Sequence, residues 1–259
     1  MTLAPGTRLG GFRVGPVAAR GGWSVVHWGT ELSSGRAVAL KTIAPELAED
    51  PGFRARFERE CEIAGAVEHE SLVPVRGAGD GWLALDWIDG RRLRERVPLS
   101  PARAARVVAQ VAGALDALHG AGFVHRDVKP GNVLVGGDGH AYLTDLGTAK
   151  PIDSDPGLTA EGRWLGHVDY AAPEQIRGEP VDARADVYAL GATLFHAVTG
   201  RVPYPDRDDE ARMRAHLHEP PPRHDSELDP VVRRAMAKDP AERFPSAGEL
   251  GAAALDAAG

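Results

Sequence analysis

Cysteine is almost absent. Cys61 is the only one in 259 residues, so no disulfide can form within the chain, and a reducing cytosol fits. Long apolar runs are missing too. No stretch of about 18 consecutive apolar residues occurs, and the N-terminus lacks a basic segment followed by an apolar one. Both absences argue against a secreted or membrane-spanning chain and for a cytoplasmic one. There is no excess of positive charge either: 30 Lys and Arg stand against 37 Asp and Glu, for a net charge of −7. That balance disfavours nucleic acid or an anionic membrane as partner. The histidines are scattered, with His216 and His218 the closest pair and no Cys/His cluster at zinc spacing, which disfavours a structural zinc.

What remains is a composition that folds: 43% hydrophobic and 26% charged residues, in a chain long enough for one or two domains with a sizeable core. One stretch concentrates chemistry, His125-Arg126-Asp127-Val128-Lys129-Pro130-Gly131-Asn132, followed by an apolar Val133-Leu134. Asp127 can accept a proton or hydrogen bond from a hydroxyl. Lys129 can hold a phosphoryl oxygen. Asn132 can offer a carbonyl oxygen to a hard cation such as Mg²⁺. Phosphoryl transfer needs these three parts.

The elements around that stretch follow from periodicity. Phe12 to Val17 and Val25 to Thr30 are expected as strands around the turn Ala18–Ser24. The pair Gly21-Gly22 would let backbone N–H groups approach a phosphate, although a plain hairpin has the same spelling. Arg36 to Ile43 is expected as a third strand, with Ala39 and Lys41 on one face and Val38 and Leu40 on the other. A helix over Phe53 to Val67 carries the stripe Phe53, Phe57, Cys61 and Ala64, and Glu60 borders it. A carboxylate leaning toward a buried face needs a cation. Lys41 is the candidate, with Glu58 and Glu62 as the solvated alternatives. Leu72 to Val75 and Trp82 to Leu85 are expected as short strands around a Gly-rich turn, after which the chain turns helix-rich. Ser100-Pro101 starts a helix that ends near Gly120 and Gly122. Val133 to Val135 and His140 to Thr144 flank a four-residue loop. Pairing Val135 with His140 and counting back places Asp145 near Pro130 and Asn132, and Asn132 and Asp145 are two oxygen donors of the kind Mg²⁺ takes. Thr148 to Arg163 is expected as a mobile loop, and Asp182 to Thr199 as a helix apolar all round and therefore buried.

His125 to Asn132 resembles the H-R-D-x-K-x-x-N catalytic loop of eukaryotic-like (Hanks-type) protein kinases, with every fixed position matched. Further strings follow in that family's order. Val38-Ala39-Leu40-Lys41 is similar to its V-A-I-K strand, and Asp145-Leu146-Gly147 to its D-F-G. Tyr170-Ala171-Ala172-Pro173-Glu174 is similar to the A-P-E end of the activation segment. Asp186-Val187-Tyr188-Ala189-Leu190-Gly191 resembles the D-V-Y-S-L-G helix, and Lys238 to Arg243 the last subdomain. The resemblance runs from about Phe12 to Leu255. Arg56-Phe57-Glu58-Arg59-Glu60 and Pro173-Glu174-Gln175 point to bacterial, particularly actinobacterial, Ser/Thr kinases.

This resemblance implies an α+β, bilobal protein kinase fold. A small antiparallel-sheet N-lobe with one long helix would cover about 8–86, a hinge 86–90, and a larger, mainly helical C-lobe about 91–256. It implies an ATP- and Mg²⁺-dependent Ser/Thr protein kinase that acts on protein hydroxyls and on itself, with possible self-association for activation. The full-length protein could be membrane-anchored outside this chain. ATP would lie in the cleft, against Ala19, Gly21, Val26, Ala39, Lys41, Glu60, Leu85, Asp86, Ile88, Asn132 and Asp145. Asp127 would orient the hydroxyl, Lys129 would stabilise the transferring phosphoryl, and Asn132 and Asp145 would hold Mg²⁺. Arg243 would pair with Glu174.

The chain departs from the family at several positions. Of the Gly-rich loop only Gly21 and Val26 keep the pattern, with Ala19 and Ser24 at the outer glycines, and Leu146 replaces the Phe of D-F-G. His167 stands where the family has a Thr whose hydroxyl bridges the catalytic Asp and Lys. Glu161 stands where relatives often carry a phosphorylated Thr, and its charge would pair with Arg126. Ser154 and Thr159 are candidate autophosphorylation sites. A pseudokinase that binds nucleotide without transfer is the alternative these departures leave.

Overall fold

The structure, a computed structural model, describes residues 3–152 and 167–259. Ser154, Thr159 and Glu161 lie outside the described residues, and so does most of the loop expected over 148–163. Two compact units are present. The first comprises Met1–Glu68, Val73–Asp89 and Asp145–Gly147, and the second His69–Leu72, Gly90–Thr144 and Thr148–Gly259.

The first unit is built on β1 (Arg8–Leu9), β2 (Phe12–Arg20), β3 (Ser24–Glu31), β4 (Ala37–Ile43), helix α1 (Pro51–Ala66), β5 (Val75–Gly79) and β6 (Trp82–Asp86). The strands form one antiparallel sheet in the order β1-β2-β3-β4-β6-β5. Alternation along β4 sends Val38 and Leu40 into a core with Phe12, Val14 and Ala84. β2 runs three residues beyond the expected Val17. Its register shifts between Val14 and Val17 and again before Ala19, around Pro16, which has no N–H to give a ladder. Ala19 is therefore a strand residue opposite Val26, and the turn shrinks to Gly21–Trp23.

Two further expectations are corrected in this unit. The glycine-rich run Val75–Gly79 is a strand, not a turn, and Leu72 makes only an isolated bridge with Leu143 in the second unit. Its glycines leave room for Trp82: a Cβ on Gly79 would meet the indole at 2.4 Å. In α1 the buried face centres on Phe57, Glu60 and Ile63, so Glu60 lies within the apolar face instead of bordering it. Asp50 caps this helix, accepting from the N–H groups of Gly52 at 2.8 Å and Phe53 at 3.2 Å.

The second unit contains β7 (Gly90–Arg92), α2 (Pro101–Gly120), β8 (Phe123–Val124), β9 (Val133–Gly136), β10 (Ala141–Leu143), β11 (Lys150–Pro151), α3 (Pro173–Arg177), α4 (Ala183–Thr199), α5 (Asp209–His218), α6 (Asp229–Ala235) and α7 (Ala247–Ala257). α4 is buried all round, as its composition requires. It is capped by Asp182 and closed by Gly200 in the left-handed region at φ 71°. α6 comes so near that a Cβ on Gly191 would meet the Cβ of Ala235 at 2.5 Å. The expected Glu174–Arg243 pair is present and bidentate, at 2.6 and 2.8 Å. Among the described residues no helix is long and apolar enough to cross a membrane.

The β9–β10 hairpin differs from its expected register by one residue. Gly136 N–H donates to His140 at 2.8 Å, which leaves a three-residue loop. Gly139 takes φ 87° in that loop, the left-handed position that such hairpins place last. Val135 accordingly faces Ala141, and Thr144 lies opposite Asn132, donating its N–H to the Asn132 carbonyl at 2.9 Å.

Candidate active site

The expected site residues form two groups, one in each unit. In the first, strand register determines who shares a face. Ala19 pairs with Val26, Val26 with Lys41, and Ala39 with Leu85, so all five project from the side of the sheet opposite Val38 and Leu40. Gly21 lies in the adjoining turn, its N–H donating to Ser24 at 2.8 Å. Ile88 follows the last strand and is half-buried. Asp86 is already engaged: Arg76 binds its carboxylate and holds it below the usual carboxylate range, and its N–H donates to Pro74 at 2.9 Å.

Lys41 is buried, with Nζ 2.6 Å from Glu60 Oε1 and 2.9 Å from Asp145 Oδ1. Burial disfavours its charge, but the two carboxylates outweigh burial and raise its pKa. Burial pushes the Glu60 carboxyl upward at the same time, against the pull of Lys41. With an ammonium at 2.6 Å, the pair is held as carboxylate and ammonium.

Sequence reasoning missed two contributors here. The Trp23 ring centroid lies 4.3 Å from Lys41 Nζ and 5.0 Å from the Arg56 guanidinium. The same indole fills the space beside Gly147, where a Cβ would meet it at 2.2 Å, and Arg56 Nε donates to the Gly147 carbonyl at 2.5 Å. Asp145 itself sits in the left-handed region at φ 66°. An aromatic in a glycine-rich turn was the one available signal.

In the second group a buried acid organises the loop. Asp186, on the otherwise apolar α4, accepts from the N–H groups of His125 and Arg126, both at 2.8 Å, and from His119 Nε2 at 2.8 Å. Burial would raise its pKa, yet His119 and these donors hold it below the usual carboxylate range. His119 is raised in turn, because Asp186 outweighs its burial. The two backbone bonds fix Arg126 at φ 66°, a conformation that non-glycine residues adopt at a cost of about 1–3 kcal/mol. Gln175 Nε2 donates to the Arg126 carbonyl at 3.0 Å and Thr148 Oγ1 to that of His125 at 3.0 Å. A lone acid in an apolar helix was the sequence signal for this anchor.

The loop so held presents Asp127. Its Oδ2 accepts from Lys129 Nζ at 2.6 Å and from Asn132 Nδ2 at 2.9 Å. Asn132 Nδ2 also donates to the Asp127 backbone carbonyl at 2.8 Å, so its amide NH₂ is committed to Asp127. Burial acts to raise the Asp127 pKa, but His167 and Lys129 outweigh it and leave the carboxyl depressed. His167 completes the group: Lys129 Nζ donates to His167 Nδ1 at 2.6 Å, and that nitrogen is 3.6 Å from Asp127 Oδ1. The imidazole thus caps the ammonium of Lys129 and stands beside the carboxylate of Asp127 without bonding to it.

The protein kinase domain family matches residues 13–251 of this chain. Serine/threonine-protein kinase PknD of Mycobacterium tuberculosis is 41% identical, over 97% of this chain and 40% of its own length. PknJ of the same organism is 38% identical, over 98% of this chain and 46% of its own. Among solved structures, the kinase domain of M. tuberculosis PknI matches with TM-score 0.76 and 31% identity, covering 99% of both chains. The chain therefore spans less than half the length of PknD and PknJ.

Proposed function

Because the chain belongs to the protein kinase domain family, we propose that it is an ATP- and Mg²⁺-dependent Ser/Thr protein kinase, transferring the γ-phosphoryl of ATP to protein hydroxyls. The observation that carries this reading is the Asp127–Lys129–Asn132 cluster, presented by a loop whose backbone Asp186 holds at His125 and Arg126. Asp127, kept ionised by its neighbours, accepts the hydrogen bond of the incoming hydroxyl and orients it. Lys129 supplies positive charge to the phosphoryl in transfer. Lys41 holds the α- and β-phosphates, fixed by Glu60. In this reading the Gly21–Trp23 turn covers the phosphates, and at Gly22 a Cβ would meet nothing within 4 Å, so the backbone there is open to approach. Ala19, Val26, Ala39, Leu85 and Ile88 offer the base an apolar surface, with backbone of the Asp86 segment at its edge.

The donor set fits Mg²⁺. Asn132 commits its NH₂ to Asp127 and keeps the carbonyl oxygen for a cation, and Asp145 adds a carboxylate, both hard oxygen ligands. When bound, the ion neutralises charge on the phosphates. Autophosphorylation, self-association and a cytoplasmic location belong to the same reading.

The test is transfer from γ-labelled ATP to a generic Ser/Thr protein. Label is expected on Ser or Thr, lost on chelation of divalent metal, and lowered by about 10²-fold or more in Lys41→Met. Nucleotide binding without metal-dependent transfer would overturn the reading. His167 gives a finer prediction. Thr at this position can accept from Lys129 and donate to Asp127, so His167→Thr is expected to keep kcat near wild type. His167→Ala removes this acceptor of Lys129 and is expected to lower kcat about five- to ten-fold with the KM for ATP unchanged. Equal rates in wild type and the Ala variant would remove His167 from the site.

A further inference from the structure

Around the Asp127–Lys129 loop, nearly every cation is spoken for. Lys129 is taken by Asp127 and His167. Arg92 Nη1 donates to the Gly131 carbonyl. Arg212, reaching the 168–170 turn from α5, is paired with Asp169 at 3.0 Å and Asp209 at 3.2 Å. Arg94 is the exception: it is exposed, and no carboxylate among the described residues pairs with it. It stands in the short helical turn Leu93–Glu95, whose Leu93 is fully buried and fixes the turn's position.

That turn delivers Arg94 to the loop. A Cβ placed on Gly131 would have Lys129 Cε at 3.7 Å and Arg94 Nη1 at 3.8 Å. The guanidinium thus flanks the same point of the loop as the lysine stem. Arg94 also acts on Tyr170: burial, with Asp169 and Asp127, raises the tyrosine hydroxyl, and Arg94 opposes them. A guanidinium with no carboxylate partner among the described residues therefore lies beside the loop that carries Asp127, close enough to act on Tyr170.

We propose that Arg94 reads the substrate, selecting protein segments with an acidic side chain close to the phosphorylated Ser or Thr. The inference rests on the kinase reading and gives it a substrate class. An extended chain advances ~3.3 Å per residue, so a residue within about three positions of a hydroxyl at Asp127 comes into reach of Arg94. A carboxylate there gains a charge-assisted, bidentate partner that already faces solvent and has no carboxylate partner among the described residues. A lysine or arginine at the same place meets like charge, so discrimination works by attraction and repulsion together.

The experiment uses the chain with single-Ser peptides of neutral background, carrying one Glu at each position from three before the acceptor to three after. The expected result is a rise of about three- to five-fold in kcat/KM, mainly through KM, at one or two neighbouring positions on one side only. Arg94→Ala flattens that preference, and Arg94→Glu reverses it so that Lys exceeds Glu at the same position. Arg233→Ala, an exposed arginine on α6, keeps the wild-type pattern. Transfer with no benefit from Glu at any position, or an unchanged preference in Arg94→Glu, would overturn the inference while leaving the kinase reading intact. No transfer to any peptide or protein by the wild type would overturn the kinase reading, and this inference with it.

Discussion

Asp127→Asn is expected to lower phosphoryl transfer by about 10²–10⁴-fold while the protein remains folded. The substitution is nearly isosteric, and the amide oxygen can still accept from Lys129 and Asn132, whose donors are 2.6 and 2.9 Å away. What is lost is a depressed carboxylate that accepts without donating. The amide presents an NH₂ on one side, toward an incoming hydroxyl or toward His167, and the hydroxyl loses its acceptor. Stability is affected less. A carboxyl with a depressed folded pKa contributes stability above its unfolded pKa of about 3.9 and loses it as pH falls through the folded value. At neutral pH, Asn forfeits that share but leaves the backbone anchors on Asp186 in place. Single-turnover transfer and thermal unfolding, measured on the same preparations, separate the two effects. A loss of less than ten-fold in a fully folded variant would take Asp127 out of the reaction.

Arg243→Ala is expected to be the most damaging single change to stability, at about 3–5 kcal/mol. The Arg243 side chain is fully buried, and its two Nη atoms hold both oxygens of Glu174 at 2.6 and 2.8 Å. It also donates to the carbonyls of Ala237 and Arg184, each at 2.8 Å. Truncation leaves a buried carboxylate with no counter-charge and removes the Arg243 donors from three carbonyls, those of Ala237, Arg184 and Lys238. A loss of that size corresponds to a fall of roughly 10 °C in Tm, at about 2–4 °C per kcal/mol for a unit of this size. Arg243→Lys keeps the charge but cannot form the planar two-point contact, and should recover only part of the loss. The double change Glu174→Gln with Arg243→Met is expected to be less unstable than Arg243→Ala alone, because no unpaired charge remains. Denaturant unfolding of the set yields the coupling. A single-variant loss below about 1 kcal/mol would mean that the pair behaves like a surface bridge.

What the sequence disclosed depended on range. The 125–132 loop was legible because its chemistry sits at fixed short spacing. Helix α4 was legible because its apolar surface continues around every side. The pairing of Lys41 with Glu60 could be argued because a glutamate beside an apolar stripe demands a cation. The hairpin register was misjudged by one residue, since it depends on the left-handed Gly139 and not on the apolar pattern of Val133 to Val135. Val75–Gly79 looked like a turn because its glycines suit turns; here they make room for an indole that comes from the next strand. Asp186 was visible as a residue but not as an anchor, because its partners lie about sixty positions earlier in the chain. Arg94 carried no signal at all: an arginine among arginines becomes distinctive only when its neighbours are found to be paired.

Trp23 joins two pieces of chain that are far apart in sequence. Its ring is held by Lys41 and Arg56 and closes the space over Gly147, so the β2–β3 turn and the Asp145–Gly147 segment share one contact set. Withdrawing the indole gives up two cation–ring contacts, at about 0.5–2 kcal/mol each, and frees both pieces together. Thermodynamic reciprocity follows. A ligand that draws the turn away from Gly147 would weaken the binding of a second ligand that needs the Asp145 segment held, and the second would oppose the first by the same free energy. Trp23 would in that sense be a linkage residue, one side chain through which the turn and the Asp145 segment share their free energy.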